Sequence, residues 1–317
     1  MPALVTFGEA MLRYSPQGGA RLDVADGLDV YVAGAESNVA VAASRTGADA
    51  LWISTLPDTP LGRRSANALH EVGLDTDIVW SDEGRQGIYY VEPGTEPRGT
   101  AIHYDRADAP ITTVTPGDLP TRHIEEAEVF VTSGITPALS QQLRETTESL
   151  LTMANDHETT TVLDLNYREK LWDPGTARET IDQLCDLVDM LVISATDAEL
   201  VFEEMGQPQE IAVRLMDRWD LDTLILTRGE WGAVGLAGNT YVEQRSFDTE
   251  TVDPIGTGDA FVGGFLTKYI EDADLQACLE FGAATAALKR TIPGDVAVTT
   301  RKEVERVINT GGGGITR

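Results

Sequence analysis

Short apolar runs alternate with longer segments of helical periodicity along most of the chain. The runs of strand length are Leu4–Phe7, 50–54, 129–132, 161–165, 190–193 and 223–226, followed by 233–236 and 240–244 on either side of Gly238-Asn239, a hairpin turn. Helical spacing covers 39–45, 63–72, 140–154, 177–187 and 211–219 and begins again at Gly258, Leu275 and Arg301. This alternation predicts an α/β fold, a doubly wound and mostly parallel sheet with helices on both faces.

Two stretches interrupt the alternation. Residues 88–92 and 100–104, joined by a turn at Pro93-Gly94, predict a β-hairpin, and residues 12–31 are glycine-rich and predict an irregular excursion. No segment is rich enough in Pro, Gly or Ser to separate two domains. We therefore expect one domain over residues 1–317, a small β-sheet lid from about 12–33 and 86–112, and a disordered glycine-rich tail at 310–317.

The sequence also indicates where the first predicted helix begins and ends. Asn38 or Ser37 is suited to cap a helix that begins at Val39, and Gly47 is suited to end it.

Charge limits the partners. The 317 residues carry 52 Asp and Glu against 24 Lys and Arg, a net charge of −28. Such a surface repels nucleic acid and acidic membranes. The basic residues are mostly arginine, and acid-rich, lysine-poor surfaces are typical of halophiles, whose concentrated salt screens the repulsion. The alternative is that the chain is an acidic enzyme of a mesophile.

Compartment and cysteine chemistry follow from simpler features. No run approaches the roughly 18 apolar residues that span a bilayer. The N-terminus enters a strand pattern with no charged segment or cleavage site, so we expect a cytoplasmic protein. Cys185 and Cys278 lie far apart in apolar helical surroundings and predict buried thiols.

The segment 253–265, Asp-Pro-Ile-Gly-Thr-Gly-Asp-Ala-Phe-Val-Gly-Gly-Phe, carries the strongest chemical signal. Gly256, Thr257 and Gly258 precede an apolar helical pattern, and the free N–H groups of a helix N-terminus bind phosphate or a developing oxyanion. Asp259 in the first turn would repel phosphate unless it accepts a proton from an attacking hydroxyl. The same sequence is also typical of an ordinary tight turn.

Further candidates follow other predicted strands, where ligands of open α/β sheets bind. Gly34 permits close approach of the backbone to a ligand, and Asn38 offers a donor and an acceptor to a hydroxyl. Asp164, Asn166 and Arg168 close one strand, and the guanidinium of Arg168 suits a carboxylate or phosphate, although a surface ion pair is equally typical.

Arg106 is a second such guanidinium, with Tyr104 on the same face of the ribbon. The loop 227–232, Thr-Arg-Gly-Glu-Trp-Gly, follows another strand and offers a place for a nucleotide ribose or phosphate.

Several other chemistries are excluded or disfavoured by motif. The chain has no P-loop, the turn at 256–258 fails the dinucleotide fingerprint, and Ser133-Gly134 does not form a nucleophile elbow. The histidines His70, His103, His123 and His157 are scattered and lack partners at metal spacing.

The segment 253–265 resembles the C-terminal signature of the ribokinase-like PfkB carbohydrate kinases. Ala-Gly-Ala-Glu-Ser-Asn-Val-Ala at 33–40, with Gly47, resembles their N-terminal signature. Residues 7–16 and 164–172 look most like the 2-keto-3-deoxygluconate kinases of that family, and with the acidic composition they suggest a haloarchaeal member.

This resemblance implies transfer of the γ-phosphate of ATP, with Mg²⁺ and a candidate monovalent cation such as K⁺, to the C6 hydroxyl of 2-keto-3-deoxygluconate or its galacto epimer. Asp259 would be the base, and Gly256, Thr257 and Gly258 the anion hole. The sugar acid would be held by Gly34, Asn38, Tyr89 rather than its neighbour Tyr90, Tyr104, Arg106, Arg168 and Asp295. The nucleotide is assigned to Asn166, Thr227, Gly229 and Gly232.

The metal is the point of departure from the family. Members of the family usually carry Asn-x-x-Glu near the metal. This chain reads Thr196-Asp197-Ala198-Glu199, so Glu199 is the metal candidate and a threonine stands at the asparagine position.

Alternatives remain within and outside the kinase class. The chain could phosphorylate a neutral hexose such as fructose or a sugar phosphate, or be a non-catalytic sugar-binding regulator. An exposed edge of the lid sheet would let two copies pair, so we expect a homo-oligomer.

Overall fold

The computed structural model describes residues 1–94 and 97–311. Its strands are β1 (Leu4–Phe7), β2 (Met11–Pro16), β3 (Leu28–Ala33), β4 (Ala50–Pro57), β5 (Asp75–Ser81), β6 (Ile88–Glu92), β7 (Ala101–Asp105), β8 (Val129–Ser133), β9 (Thr160–Asp164), β10 (Met190–Ser194), β11 (Thr223–Thr227), β12 (Ala233–Ala237) and β13 (Thr240–Gln244). Its helices are α1 (Ala35–Thr46), α2 (Pro60–Glu71), α3 (Arg122–Glu125), α4 (Ile135–Ala138), α5 (Gln141–Asp156), α6 (Pro174–Cys185), α7 (Ala195–Phe202), α8 (Pro208–Trp219), α9 (Thr257–Ile270), α10 (Leu275–Arg290) and α11 (Arg301–Thr310).

The larger sheet has the order β13-β12-β11-β10-β9-β8-β1-β4-β5. Neighbouring strands are parallel except that β12 runs antiparallel to both β11 and β13. Alternate residues of one strand enter different cores: Val5 and Phe7 pack into one cluster and Leu4 into the other. Because both faces of this sheet are covered by helices, the predicted α/β class is confirmed.

A smaller sheet, β3-β2-β6-β7, stands apart from the first. The hairpin of β6 and β7 was expected, but the prediction of an irregular excursion over 12–31 is wrong, because β2 and β3 form an antiparallel pair there. Buried Arg13 and Ser15 replace apolar residues in β2, so the alternation that marks a strand is hidden. The predicted start of a disordered tail at 310 is wrong, because Thr310 is the last residue of α11 and Gly311 is its C-cap; the rest of the predicted tail, 312–317, lies outside the described residues.

Several helices begin at caps that the sequence itself supplies. The side chains of Ser140, Asp173 and Asp274 accept N–H groups from the first turns of α5, α6 and α10. The predicted start of α1 at Val39 is wrong. The helix begins at Ala35, with Gly34 as its N-cap, so the amide of Asn38 is free to reach across the molecule instead of capping.

The helices of residues 1–94 and 97–311 are all too short or too polar to cross a lipid bilayer. Both cysteines are buried thiols, as expected.

Candidate active site

A cleft of about 580 Å³ lies between the carboxyl ends of the large sheet and the small sheet. It brings together most of the residues that the sequence singled out: Gly34, Asn38, Tyr89, Tyr104, Arg106, Asn166, Arg168, Thr227, Gly256, Thr257, Gly258, Asp259 and Asp295. A second cavity, of about 350 Å³, is lined by Gly229 and Gly232 and shares Ser194, Thr227, Thr257 and Gly258 with the first. The two cavities therefore meet at the N-terminus of α9.

The turn before α9 depends on glycine for backbone reasons. Gly256, the N-cap, has φ of +79°, and a Cβ there would lie 1.9 Å from the carbonyl oxygen of Asp295. Gly258 differs, because a Cβ on it would meet no heavy atom within 4 Å. The first turn of α9 thus presents its N–H groups to open space, where they can bind an anion.

Asp259 sits in that first turn and is 9% exposed. Asn38 Nδ2 donates to its Oδ2 at 2.7 Å, and Asn166 Nδ2 lies 3.4 Å from its Oδ1. Burial raises the pKa of Asp259 to about 6, against the opposing hydrogen bond from Asn38. The carboxylate is therefore held in one orientation and takes up a proton more readily than an exposed aspartate.

Two more carboxylates face the same space. Burial, together with the charges of Asp259 and Asp197, raises the pKa of Asp164 well above its usual range, and burial also raises the pKa of Asp197. The nearby charge of Arg168 opposes both shifts. Such mutual repulsion is relieved by a cation, so this corner of the cleft suits a hard divalent ion with oxygen ligands.

Glu199 does not belong to this acidic corner. It is exposed on α7 and lines neither cavity. The cap of α7 explains the difference: Ser194 accepts the N–H of Asp197 at 2.9 Å, and this tight turn places Asp197, not Glu199, in the cleft. The residues described by the structure contain no preformed group of three or more His, Cys, Asp or Glu side chains at metal-binding distance.

Aromatic side chains of the small sheet form one wall. The rings of Tyr89 and Tyr104 stack with centroids 5.7 Å apart, and both line the cleft. Tyr90 is absent from the lining and packs on Tyr14 instead, since adjacent residues of a strand point to opposite faces. Stacked tyrosines offer apolar faces and hydroxyls to a polyhydroxylated ligand.

The two arginines of the cleft are in different states. Arg106 donates to the buried carboxylate of Glu9, so its charge is already compensated. Arg168 is exposed, donates to the carbonyl oxygen of Tyr167 at 3.1 Å, and forms no ion pair with a carboxylate in residues 1–94 and 97–311. Arg168 is therefore the guanidinium available to an incoming anion.

Asp295 lines the cleft, but protein groups occupy its carboxylate. The hydroxyl of Tyr89 donates to Oδ1, and Arg13 Nη1 donates to Oδ2 at 3.0 Å. Arg13 Nη2 also donates to Asp253 Oδ2 at 2.8 Å. This buried network fixes Tyr89 and the glycine turn. The sequence reasoning missed Arg13, whose partners lie 240 and 282 positions away in the chain.

The second cavity has small and apolar walls. Besides the glycines it is lined by residues that sequence reasoning did not single out, among them Phe247, Ala283, Ala286, Ala287 and Arg290. Gly232 has φ of +85°, and a Cβ there would lie 2.1 Å from the carbonyl oxygen of Gln244. A cavity with mostly small and apolar lining that opens onto a helix N-terminus suits a nucleobase with its phosphates directed at α9.

Comparison with known proteins gives consistent matches. The model of the family described as pfkB family carbohydrate kinase matches residues 1–301. The 2-dehydro-3-deoxygalactonokinase of Haloferax volcanii is 52% identical over 314 residues, covering 99% of each chain. The crystal structure of the Thermotoga maritima 2-dehydro-3-deoxygluconokinase has a TM-score of 0.91 at 32% identity, over 96% of this chain and 98% of that one.

A more distant structure shares the fold. The Xylella fastidiosa fructokinase with bound ATP has a TM-score of 0.84 at 20% identity, over 98% of this chain and 99% of that one.

Proposed function

Because this chain belongs to the pfkB family of carbohydrate kinases, we propose that it transfers the γ-phosphate of ATP to the C6 hydroxyl of a 2-keto-3-deoxy sugar acid, the gluconate or its galacto epimer. One observation carries the proposal: the oriented carboxylate of Asp259 lies beside the open N-terminus of α9, in the same cleft as Arg168, which pairs with no carboxylate in the described part of the chain. The carboxylate and the helix N-terminus serve phosphoryl transfer to an alcohol, and the guanidinium of Arg168 serves the binding of an acidic substrate.

Asp259 takes the proton of the attacking hydroxyl. Asn38 holds one of its carboxylate oxygens and leaves the other directed towards the weaker contact with Asn166. A base with a pKa of about 6 is ionised at neutral pH and still accepts a proton usefully. The amides of Thr257 and Gly258 bind the negative charge that builds up on the transferred group.

Arg168 gives the preference for a sugar acid. A guanidinium that has no carboxylate partner among residues 1–94 and 97–311 binds the substrate carboxylate through two parallel hydrogen bonds. The Haloferax and Thermotoga relatives named above are kinases of sugar acids of this type, which supports the same substrate class here. We assign Tyr89, Tyr104 and Gly34 to the sugar and Asp295 to the positioning of Tyr89.

The cofactors fit the two cavities. When bound, ATP supplies the phosphoryl group, and Mg²⁺ offsets the charge of its phosphates. We place the nucleotide in the second cavity, along Thr227, Gly229 and Gly232, because its small side chains leave an apolar slot. Asp197 and Asp164 offer the oxygen ligands for Mg²⁺, and Asp197 replaces Glu199 in this role.

The small sheet closes the cleft. We propose that the chain works as one kinase domain, with β2, β3, β6 and β7 as a lid that excludes water from the phosphoryl group. The outer strands β3 and β7 have free edges, and we propose that two copies associate through them. Light scattering in concentrated KCl measures the mass of the assembly.

A substrate panel tests the proposed function. Steady-state phosphorylation of 2-keto-3-deoxygluconate, its galacto epimer and fructose is measured with ATP and Mg²⁺ in concentrated KCl. We expect kcat/KM for at least one of the sugar acids to exceed that for fructose. Turnover of fructose alone overturns the assignment of substrate while leaving the kinase fold intact.

A further inference from the structure

Lys289 is a fully buried lysine near the end of α10, with 0% of its surface exposed. Its Nζ donates to the carbonyl oxygen of Asp253 at 3.1 Å and to that of Ile292 at 3.3 Å. Four of the acidic protein's basic residues are lysines, and this one is held away from solvent. The mechanism proposed for the cleft does not involve Lys289.

The two carbonyl groups belong to the two segments that form the turn before α9. Asp253 opens that turn: its carboxylate accepts the N–H of Ile255 and that of Gly294, both at 3.1 Å. The second segment, from Ile292 to Asp295, packs against Gly256, where no space remains for a Cβ. The ammonium group therefore links, through its two hydrogen bonds, the two segments that form the anion-binding turn.

The charge of Lys289 is compensated in an unusual way. Within residues 1–94 and 97–311 it makes no ion pair at 4 Å or less, so main-chain carbonyl dipoles are its direct partners. Burial lowers the pKa of Lys289, and the more distant carboxylates of Asp253 and Asp295 oppose this shift. An unpaired buried ammonium is costly, and an apolar side chain of equal length would pack as well.

Main-chain carbonyl oxygens accept the hydrogen bonds of the buried ammonium group. Carbonyl oxygens are also the ligands that replace the hydration shell of a small monovalent cation. We propose that Lys289 is a positioning residue that serves as a built-in monovalent cation: it fixes the Asp253 and Ile292 carbonyl groups and thereby the amides of Gly256–Gly258. The reaction then needs no K⁺ at this place. The inference rests on the proposed kinase function, because the turn matters through the anion it binds.

Shortening the side chain tests this. Lys289→Ala removes the ammonium group and leaves its space empty. We expect kcat to fall about 10²-fold, because a small displacement of the anion-binding amides has an effect of this size, while the KM of the sugar changes little. Added ammonium ions raise the kcat of Lys289→Ala at least about tenfold relative to choline at constant ionic strength, because they bind the same carbonyl groups. K⁺ restores kcat more weakly. Lys289→Met fills the space without charge and is not restored.

Matched controls separate this role from packing and from general salt effects. Lys302→Met removes an exposed lysine of α11, and we expect its kcat to equal that of the wild type in every salt. The wild type itself is expected to turn over equally in KCl and NaCl of equal strength. Wild-type turnover in Lys289→Met, equal stimulation of wild type and Lys289→Ala by ammonium, or specific activation of the wild type by K⁺ overturns the proposal.

Two measurements keep this test distinct from that of the substrate. The ratio of rates can be taken with any sugar that the wild type phosphorylates, so an error in the sugar-acid assignment does not affect it. Hydrogen exchange of the hydrogen-bonded amides of Ile255, Thr257 and Gly294, followed in concentrated choline chloride with the far-ultraviolet circular dichroism as the check of folding, needs no turnover. We expect faster exchange in Lys289→Ala, slowed by ammonium, and unchanged exchange contradicts the proposal. If both variants are unfolded, the comparison of KCl with NaCl in the wild type decides.

Discussion

The side-chain amide of Asn38 donates a 2.7 Å hydrogen bond to the carboxylate of Asp259, 221 positions later in the chain. This contact joins the first turn of α1 to the first turn of α9 in the wall of the cleft. It favours the ionised carboxylate against the effect of burial, which raises the pKa of Asp259 to about 6. In the proposed mechanism, Asn38 therefore adjusts the pH range in which Asp259 can act as the base.

Asn38→Ala should move the acid limb of the pH profile. In the wild type, kcat falls as pH drops through about 6, because the base becomes protonated. Without the amide, the pKa of Asp259 rises further, so the limb moves to higher pH while the plateau at alkaline pH is better retained. Profiles of kcat against pH measure this. Asn309→Ala, on the exposed face of α11, is the control, and coincident profiles for wild type and Asn38→Ala refute the coupling.

The two glycines of the turn should respond differently to alanine. Gly256→Ala places a Cβ at φ of +79°, which costs roughly 1 to 2 kcal/mol, and 1.9 Å from the carbonyl oxygen of Asp295, so we expect a clear loss of stability. Gly258→Ala meets no atom within 4 Å and should keep the melting temperature, yet its methyl group points into the cleft and weakens nucleotide binding. Melting curves and the KM of ATP are the measurements. Equal melting temperatures for the two variants would refute this reading of the turn.

Arg168→Ala should weaken binding of the sugar acid specifically. A charged hydrogen bond to the substrate carboxylate contributes about 1.5 to 3 kcal/mol, so we expect the KM of the acid to rise about 10- to 10²-fold, with the KM of ATP unchanged. Arg168→Lys keeps the charge but loses the planar fork and should fall between the two. Arg63→Ala, at an exposed position of α2, is the control. An unchanged KM of the sugar acid in Arg168→Ala removes this arginine from the site.

Asp259→Asn should be more stable than the wild type at neutral pH. The pKa of Asp259 in the folded protein, about 6, lies above the ordinary value of 3.8, so the fold favours the protonated form. The buried charge thus lowers the free energy of unfolding above pH 6, and this cost disappears as pH falls towards 3.8. We expect a gain of about 1 kcal/mol or more at neutral pH that shrinks in acid, measured by denaturation.

A surface exchange provides the reference for that measurement. Asp248→Asn removes the same charge from an exposed position and should leave the free energy of unfolding nearly unchanged. Loss of stability in Asp259→Asn at neutral pH would show that the buried carboxylate does not oppose folding.

The parts of the site that could be predicted from the sequence are those set by local rules. The turn at 256–258 and Asp259 share one helix N-terminus, so short-range patterns were enough. The inner strands of the large sheet were predictable because they are apolar on both faces.

The parts that could not be predicted depend on distant contacts or on a shift of register. The structural role of Arg13 became apparent only from its partners Asp253 and Asp295, which lie far along the chain. The edge strand β5, Asp75–Ser81, was missed because its residues are largely half-buried or exposed and give no clear alternation. Asp197 was passed over for Glu199 because the cap of Ser194 decides which carboxylate faces the cleft.

The kcat of Asp259→Asn tests the central claim most directly. Steady-state turnover of the sugar acid is compared between wild type and variant, and binding of the sugar acid is measured by calorimetry on the same preparations. We expect kcat to fall at least about 10²-fold while the dissociation constant stays close to that of the wild type. Turnover near that of the wild type in Asp259→Asn would contradict the claim that this carboxylate is the base.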